Sequence, residues 1–472
     1  MIVFDLINDE APLFIKAVEN LIVEGAVSID GVLGITEGNR WQEESEVLQC
    51  RNRLHFFDDL DKSNIDVKKE IYRISQTYDG FNIYACDRYL IKKDRAYQKK
   101  MLVYTYLFYE QLFEQRVTHY FTTGIAFTYN MVSYQVSKRF GVKHISFYGI
   151  RLKNKSAVSY DAKNTFNEVD KAYEEFSPEK VNPEMFAPIT AFLNKPKQPS
   201  YMKNAINASS IKGVFISEFF IRFNKFYFKK RHKYDLFTRN PFELSLFKLK
   251  KIVQAKKIGF FHNTIFDKTD LSENYFVFPL HMQPEASTLI LAPYYVDQKT
   301  AIINISKCLP THVQLYVKEH KSALGQHSFS FYKELKRHPK IRLVSYKENM
   351  FDLIKNSFGT INLSSTVGLE SLLMKKPSIV LGDVFYNSSK LTYTVESFKE
   401  LQKLTNKIVS KEYDLNMEFK NYDEKLAFYI NCLFDNSFNF EFNVAKLDTK
   451  ERVLKTENVS VMSKCIKKQI MK

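Results

Sequence analysis

The sequence predicts an α/β protein built from two Rossmann-like domains with parallel sheets, and three observations predict it. Short apolar runs alternate with helical patterns over residues 1 to about 155, as helices covering a parallel sheet require. The alternation returns in Asn274–Asp383, where GTINLSSTVGLESLLMKKPSIVLGD, Gly359 to Asp383, reads strand, tight turn, helix, strand. A chain of 472 residues with 45% hydrophobic content can fill more than one core.

In the first half, Ile2–Ile7 and Val27–Ile35 are apolar runs on either side of a helical pattern, Ala11–Val23. Phe81–Cys86, His119–Thr123 and Lys143–Tyr148 repeat the strand signal, and Ala126–Phe140 is helical up to Gly141. Polar residues gather after the strands: Glu37 within Thr36-Glu37-Gly38-Asn39-Arg40, Asp87-Arg88 after FNIYAC, and Arg151. Each is either a group that meets an acceptor and a reacting carbon or an ordinary loop or salt-bridged residue. No G-x-G-x-x-G fingerprint and no P-loop is present, which gives an NAD enzyme or an NTPase little support. Asp59-Leu60-Asp61, with Asp58, is expected to cap and charge a helix start rather than to hold a metal.

Residues 156–210 are polar and carry Pro178, Pro183, Pro188, Pro196 and Pro199, the composition of an insertion. A basic and aromatic block follows. From Arg222 to Lys257 twelve Lys or Arg stand against Asp235 and Glu243, and Phe219–Tyr234 interleaves seven aromatics with the cations. Much of the formal net charge of +16 therefore lies there. The block suits an anionic lipid surface or a nucleic acid, or is a helix with aromatics inward and solvated lysines; the membrane is the favoured partner and nucleic acid is not expected.

The second half places polar groups at three strand ends. His312–Val317 ends in Lys318-Glu319-His320-Lys321; Tyr275–Phe278 stops at Pro279 and the loop presents His281, Gln283, Glu285, Ser287 and Thr288; Ile361–Leu363 ends in Ser364-Ser365-Thr366. Ligands bind outside the carboxyl ends of strands in an open parallel sheet, and a cation, an imidazole and helix N–H groups there fit a phosphate. The alternative is that one serine merely caps its helix. Asp87 and Glu285 are the candidate catalytic carboxylates, as base or nucleophile.

FPLHMQPEAST, a strand ending in KEH, and LSSTVGLESLLMKKPSIVLGD together resemble the bacterial capsule polysaccharide synthesis family, specifically over about residues 230 to 390. The resemblance implies a GT-B-like fold, two facing Rossmann-like domains, and a Kdo-transferase-like, metal-independent glycosyltransferase. It implies a nucleotide-sugar donor, CMP-Kdo or a similar CMP-sugar, and a capsular or other surface polysaccharide or lipid-linked glycan acceptor. No cofactor beyond the donor is implied. In that reading His320 acts in catalysis; His281, Gln283, Lys318, Ser364, Ser365, Thr366 and Glu370 hold the donor; Glu37, Arg88 and Arg151 meet the acceptor. Glu370 either accepts from ribose hydroxyls or faces solvent. Related CMP-sugar transferases often show His-Pro where this chain has His320-Lys321. A UDP- or GDP-sugar transferase of the same fold is therefore an alternative, as is a non-enzymatic membrane- or nucleic-acid-binding scaffold.

The expected domains are an acceptor domain over 1–210, a basic helical linker over 211–258, a donor domain over 259–435 and a basic tail over 436–472. Five widely spaced cysteines without a CxxC pair support neither a disulfide framework nor a zinc site. The N-terminus does not read as a leader and no run approaches the roughly 18 apolar residues of a spanning helix, so a cytoplasmic protein on the inner face of the cell membrane is expected.

Overall fold

Val, Ile, Phe and Tyr crowd the strand runs, and they assemble into two six-stranded sheets in a computed structural model that describes residues 1–7, 10–37, 45, 47–78, 83–152, 154–163, 165–195, 214–228, 232–237, 240–440 and 453–472. Gly38, Asn39, Arg40, Phe81, Pro196, Pro199, Lys229, Lys230, Arg231 and residues 441–452 of the expected tail lie outside the described residues. The chain divides into two units. Unit 1 comprises Met1–Asn167, Ser217–Pro241 and Asn436–Lys472, and unit 2 comprises Glu168–Ile216 and Phe242–Asp435. Both are α/β with mainly parallel sheets, as the sequence predicts.

In unit 1 the strands are β1 (Ile2–Asp5), β2 (Val32–Thr36), β3 (Cys50–Asn52), β4 (His119–Thr122), β5 (Lys143–Gly149) and β6 (Ser156–Ser159), in the order β3-β2-β1-β4-β5-β6. All neighbours run parallel except β5 and β6. The helices that matter here are α1 (Ala11–Val23), α2 (Arg53–Lys62), α3 (Ile83–Cys86), α4 (Arg95–Phe113) and α5 (Thr128–Phe140). Gly141 ends α5 in the left-handed conformation, φ 66°, that glycine adopts at least cost.

The run Phe81–Cys86 is not a strand. Its described part is the helical turn α3, with Ile83 and Cys86 buried three residues apart on one face. A short apolar run fits a strand and a buried turn equally well. The Asp58, Asp59 and Asp61 carboxylates also sit differently from expectation, in the body and last turn of α2, whose start is capped by Asn52. Asp61 accepts from the Tyr104 and Tyr234 hydroxyls at 2.8 and 2.6 Å and pairs with Lys100 and Lys233, so these carboxylates tie helices together.

Residues 436–472 return to unit 1. Phe438 pairs with Ser156 at the edge strand β6, which covers an otherwise open row of backbone donors and acceptors. Val459, Met462 and Ile466 of the helix Thr456–Ile470 join the core of α1, where Ser463 Oγ donates to the Ala17 carbonyl at 3.1 Å. The apolar periodicity of that helix, diluted by lysines in the sequence, is what docks it.

Unit 2 contains β7 (Tyr275–Pro279), β8 (Gln314–Lys318), β9 (Ile341–Val344), β10 (Thr360–Asn362), β11 (Ser378–Val380) and β12 (Tyr393–Thr394), all parallel in the order β12-β11-β10-β7-β8-β9. Of the basic block, α6 (Val214–Tyr227) falls mostly in unit 1 and α7 (Pro241–Phe260) in unit 2, where α8 (Thr366–Leu373) follows β10. Among the described residues no helix is long and apolar enough to cross a membrane.

The approach of α8 to its sheet requires a glycine. A Cβ on Gly368 would stand 2.1 Å from the Tyr386 hydroxyl and 2.8 Å from Asn362 Nδ2. Tyr386 and Asn362 are both buried, and their side chains hydrogen-bond each other at 3.2 Å, so neither can yield freely. Gly368→Ala should destabilise by about 1–3 kcal/mol despite the better helix propensity of alanine. Urea unfolding reads this directly; an unchanged midpoint would show that Tyr386 can swing aside.

Candidate functional site

Parallel pairing brings the carboxyl ends of β10, β7 and β8 side by side along one edge of unit 2. Adjacent strands lie about 4.8 Å apart, so the ends of β10 and β8 are separated by about 10 Å. Alternation along β8 sends Tyr316 and Lys318 to the face covered by Val367 of α8, and Val317 and Glu319 to the opposite face with Tyr332.

Lys318 is only 7% exposed, and burial pushes its ammonium down to about 8 while the charges of Glu319, Glu348 and Glu370 act to keep the proton on. Glu370, half-buried one turn into α8, is pushed up to about 8 by burial against the pull of Lys318. The two groups therefore feel one another across β7. Glu319, which the sequence did not single out, is pushed up to about 7 by burial and accepts from the Tyr332 hydroxyl and from the His320 backbone N–H at 2.7 Å.

His320 has its tautomer set by the backbone. Its Nδ1 accepts the Ser322 N–H at 3.2 Å, capping the short turn Lys321–Ala323. A lone pair at Nδ1 leaves the ring proton on Nε2. Burial, with the charges of Lys318 and Lys251, pushes the ring down to about 4, so at pH 7 it is neutral and presents one N–H. His281 stands beside it at the end of β7. It is buried and pushed down to about 3 by burial and by His320, and its Nε2 finds no hydrogen-bond partner among the described residues. Gln298 fixes the His281 backbone, accepting from its N–H at 2.8 Å and donating to its carbonyl at 3.0 Å.

The remaining donor-side residues divide by what already occupies them. Ser364 Oγ donates to the Ser287 carbonyl at 2.5 Å, and Ser365 Oγ accepts the Val367 N–H at 3.2 Å, the ordinary capping bond. Ser365 is thus the helix cap; Thr366 follows as the first residue of α8 and is half-buried. Gln283 Nε2 donates to the Val296 carbonyl at 2.7 Å, which holds the loop rather than pointing to a ligand. Glu285 leads into the turn Ala286–Leu289, its carbonyl accepting from Leu289 at 2.9 Å.

The corresponding edge of unit 1 holds a buried charge cluster. Arg53, fully buried, donates to Asp5 Oδ1 at 3.3 Å and to the Tyr109 hydroxyl at 2.7 Å, and its guanidinium lies 4.1 Å from the Tyr129 ring centroid. Asp5 also accepts from Asn130 Nδ2 at 3.2 Å. Glu37, at the end of β2, accepts the Leu236 N–H at 3.4 Å through Oε1 and is pushed up to about 8 by burial, against Arg53. Its Oε2, Arg53 Nε and Nη1, the Tyr129 hydroxyl and Asn130 Oδ1 are buried with no hydrogen-bond partner among the described residues. Asp5 and Arg53 carry no motif; only their places at the ends of β1 and β3 could have pointed to them.

Asp87 is different from its expected role. Oδ1 accepts the Tyr89 and Leu90 N–H groups at 2.7 and 2.9 Å, and Oδ2 accepts the Thr128 N–H and hydroxyl at 2.7 and 2.5 Å. Four donors fill a carboxylate, so this one anchors loops and the start of α5 and has no lone pair left for an acceptor hydroxyl. Arg88 is half-buried, its Nε without a hydrogen-bond partner among the described residues, and Arg151 sits in a left-handed turn, φ 65°, between β5 and β6. Among the described residues no group of three or more His, Cys, Asp or Glu is placed to hold a metal.

Residues 218–418 match the family described as "Capsule polysaccharide biosynthesis protein", the segment in which the motifs lie. A comparison with curated proteins returned no match. Among solved structures, the beta Kdo 2,7 transferase KpsC of Thermosulfurimonas dismutans is similar at 13% identity and TM-score 0.30, over 63% of this chain and 78% of that one. The beta Kdo 2,4 transferase of the same KpsC matches at 12% and 0.30 over 66% and 78%. The UDP-GlcNAc 2-epimerase of Methanocaldococcus jannaschii matches at 12% and 0.26 over 92% and 99%. Likenesses this low leave the chemistry to be argued from the residues.

The raised carboxyl of Glu37 has a measurable consequence. Between its ordinary 4.5 and about 8 the folded chain holds a proton that the unfolded chain releases, so this group's contribution to stability falls as pH rises through that window. Glu37→Gln removes the effect. The variant should gain on the parent from pH 5 to pH 8 by up to about 1.4 kcal/mol per pH unit. Urea unfolding at several pH values checks it; parallel curves would mean that Glu37 is ionised in the folded protein.

Proposed function

We propose that this chain is a metal-independent GT-B glycosyltransferase that moves a sugar from a nucleotide-sugar, with CMP-Kdo or a similar CMP-sugar favoured, to a capsular or other surface polysaccharide or its lipid-linked precursor. Unit 2 takes the donor and unit 1 the acceptor, and the protein works in the cytoplasm on the inner face of the cell membrane, held by its basic and aromatic block. The observation that carries the reading is the pairing at the end of β8: a buried Lys318 beside a neutral His320 whose Nε2–H is fixed by its own backbone.

Breaking a glycosyl phosphate bond moves negative charge onto the departing phosphate. Lys318 supplies a positive charge with a low desolvation debt once the anion is bound, and His320 Nε2–H supplies a hydrogen bond that strengthens as charge develops. The start of α8 adds its dipole and the Thr366 N–H. His281, with a free buried nitrogen beside His320, lies where a second hydrogen bond to the donor is wanted. Glu370 is assigned to the donor's ribose or to holding Lys318. On the acceptor side Glu37 takes over the role first given to Asp87, because it is the edge carboxylate of unit 1 with an oxygen free; Glu285 is kept as the second carboxylate.

CMP, UDP and GDP tested by thermal shift should separate the donors, since a ligand at about 100 times its Kd adds roughly 2.7 kcal/mol. Selective stabilisation by CMP is expected; selectivity for UDP or GDP would move the donor class without moving the site. His320→Ala should then lower kcat on the order of a hundredfold with a smaller change in KM, because the lost donor matters most in the transition state. A variant that turned over like the parent with its fold intact would remove His320 from the mechanism.

A further inference from the structure

Helix α7 has two faces that its basic composition conceals. Ile252 and Ile258 point into unit 2, whereas Phe242, Leu246, Leu249, Val253 and Phe260 are between 51% and 83% exposed. Their spacing, i, i+4, i+7, i+11 and i+18, puts all five on one narrow outward stripe. Lys256 falls within the stripe, Lys250 and Lys257 flank it, and Glu243 is the only acid of the helix. An outward apolar stripe edged by cations matches a surface that offers hydrocarbon and negative charge together, which is an anionic lipid interface. The same spacing would suit a second copy of the helix, but self-pairing would set Lys250, Lys256 and Lys257 against their own kind with almost no acid to answer them.

The inner face of α7 lies against the loop that carries His320. Lys251 Nζ donates to the Ser322 carbonyl at 3.0 Å, and the Ser322 N–H is the group that His320 Nδ1 accepts. Gln254, with its amide turned to satisfy its neighbours, donates to the Gly325 and His327 carbonyls at 3.2 and 2.8 Å. Gly325, φ 82°, packs so tightly on α7 that a Cβ would meet the Lys251 carbonyl at 2.2 Å and the Ala255 nitrogen at 2.9 Å. Backbone on backbone leaves no slack: a rotation of α7 about its axis moves Ser322 and Gly325, and with them the cap that sets the His320 tautomer.

We propose that α7 docks on an anionic lipid surface through its outward stripe, and that docking acts on the His320 loop through Lys251, Gln254 and Gly325. The enzyme is then tuned at the surface where its acceptor is presented, a regulation that rests on the donor-site reading given above. Its physical requirement is that lipid contact favours one setting of α7 over another, since a ligand indifferent to the two would shift nothing.

The test uses the full chain with vesicles of phosphatidylcholine, alone or with about 30 mol% phosphatidylglycerol. The parent should sediment with the anionic vesicles at least about tenfold more tightly than with neutral ones, and amide exchange over 319–326 should change on binding. Leu249→Glu with Val253→Glu, both outward, should lose about tenfold in binding. Lys251→Met should still bind vesicles while its 319–326 exchange no longer responds. Equal binding of parent and double variant, an unresponsive loop in the parent, or a concentration-dependent dimer that the double variant abolishes would each overturn the proposal. CMP binding measured alongside keeps the two readings apart: failure to bind CMP with the vesicle response intact sinks the donor assignment alone, and normal CMP binding without a vesicle response sinks this proposal alone.

Discussion

Unit 2 depends on keeping ionisable groups buried at the carboxyl edge of β10, β7 and β8. Lys318, Glu319 and Glu370 would each gain by returning to water, and burial has already drawn the ammonium down and the carboxyls up toward neutrality. Apolar side chains of similar shape would make a more stable edge. The features around them serve to hold that costly arrangement: Tyr332 under Glu319, Gln298 across His281, Gly368 letting α8 close on the sheet. That cost is why the proposed function rests on the edge rather than on the basic composition.

Unit 1 repeats the theme with different chemistry. Its edge cation is an arginine, fully buried, stacked on one tyrosine and bonded to another and to Asp5. Arginine cannot discard its proton as Lys318 can, so the burden of neutrality falls on the carboxyls around it. Glu37 answers by holding its proton to about pH 8. A group poised there can exchange a proton near neutral pH, whereas Asp87 has its oxygens taken up by four donors.

Much of the scaffold was legible in the sequence, because parallel strands buried on both faces announce themselves as short apolar runs with polar residues at their ends. Ala11–Val23 and the strand–turn–helix after Thr360 fell where periodicity put them. What failed was local and has a common cause. FNIYAC has no period long enough to separate a strand from a buried turn, and so Asp87 was given the position of a strand-end residue. The carboxylates of α2 looked like a helix start because charge alone does not reveal register. The helix Thr456–Ile470 hid its docking face among lysines, and Glu319 and Arg53 gave no signal because their importance lies in partners 13 to 76 residues away in the chain.

The same contrast shows why His320 reads as a donor of a hydrogen bond rather than of charge. An imidazolium at this place would sit beside Lys318 and Lys251, and both push its proton off. With the ring neutral and Nδ1 held by Ser322, the one feature left to offer is the Nε2–H, pointed by a backbone bond instead of by a mobile partner. In the proposed reading, an arriving phosphate would reverse the field, raising the proton affinity of Lys318, Glu370 and His320 together. The proposed site would then become more cationic only with the anion in it, and relax toward neutrality when it left. That makes the buried edge tolerable in the empty protein and strong in the occupied one, which is the difference a leaving-group site has to provide.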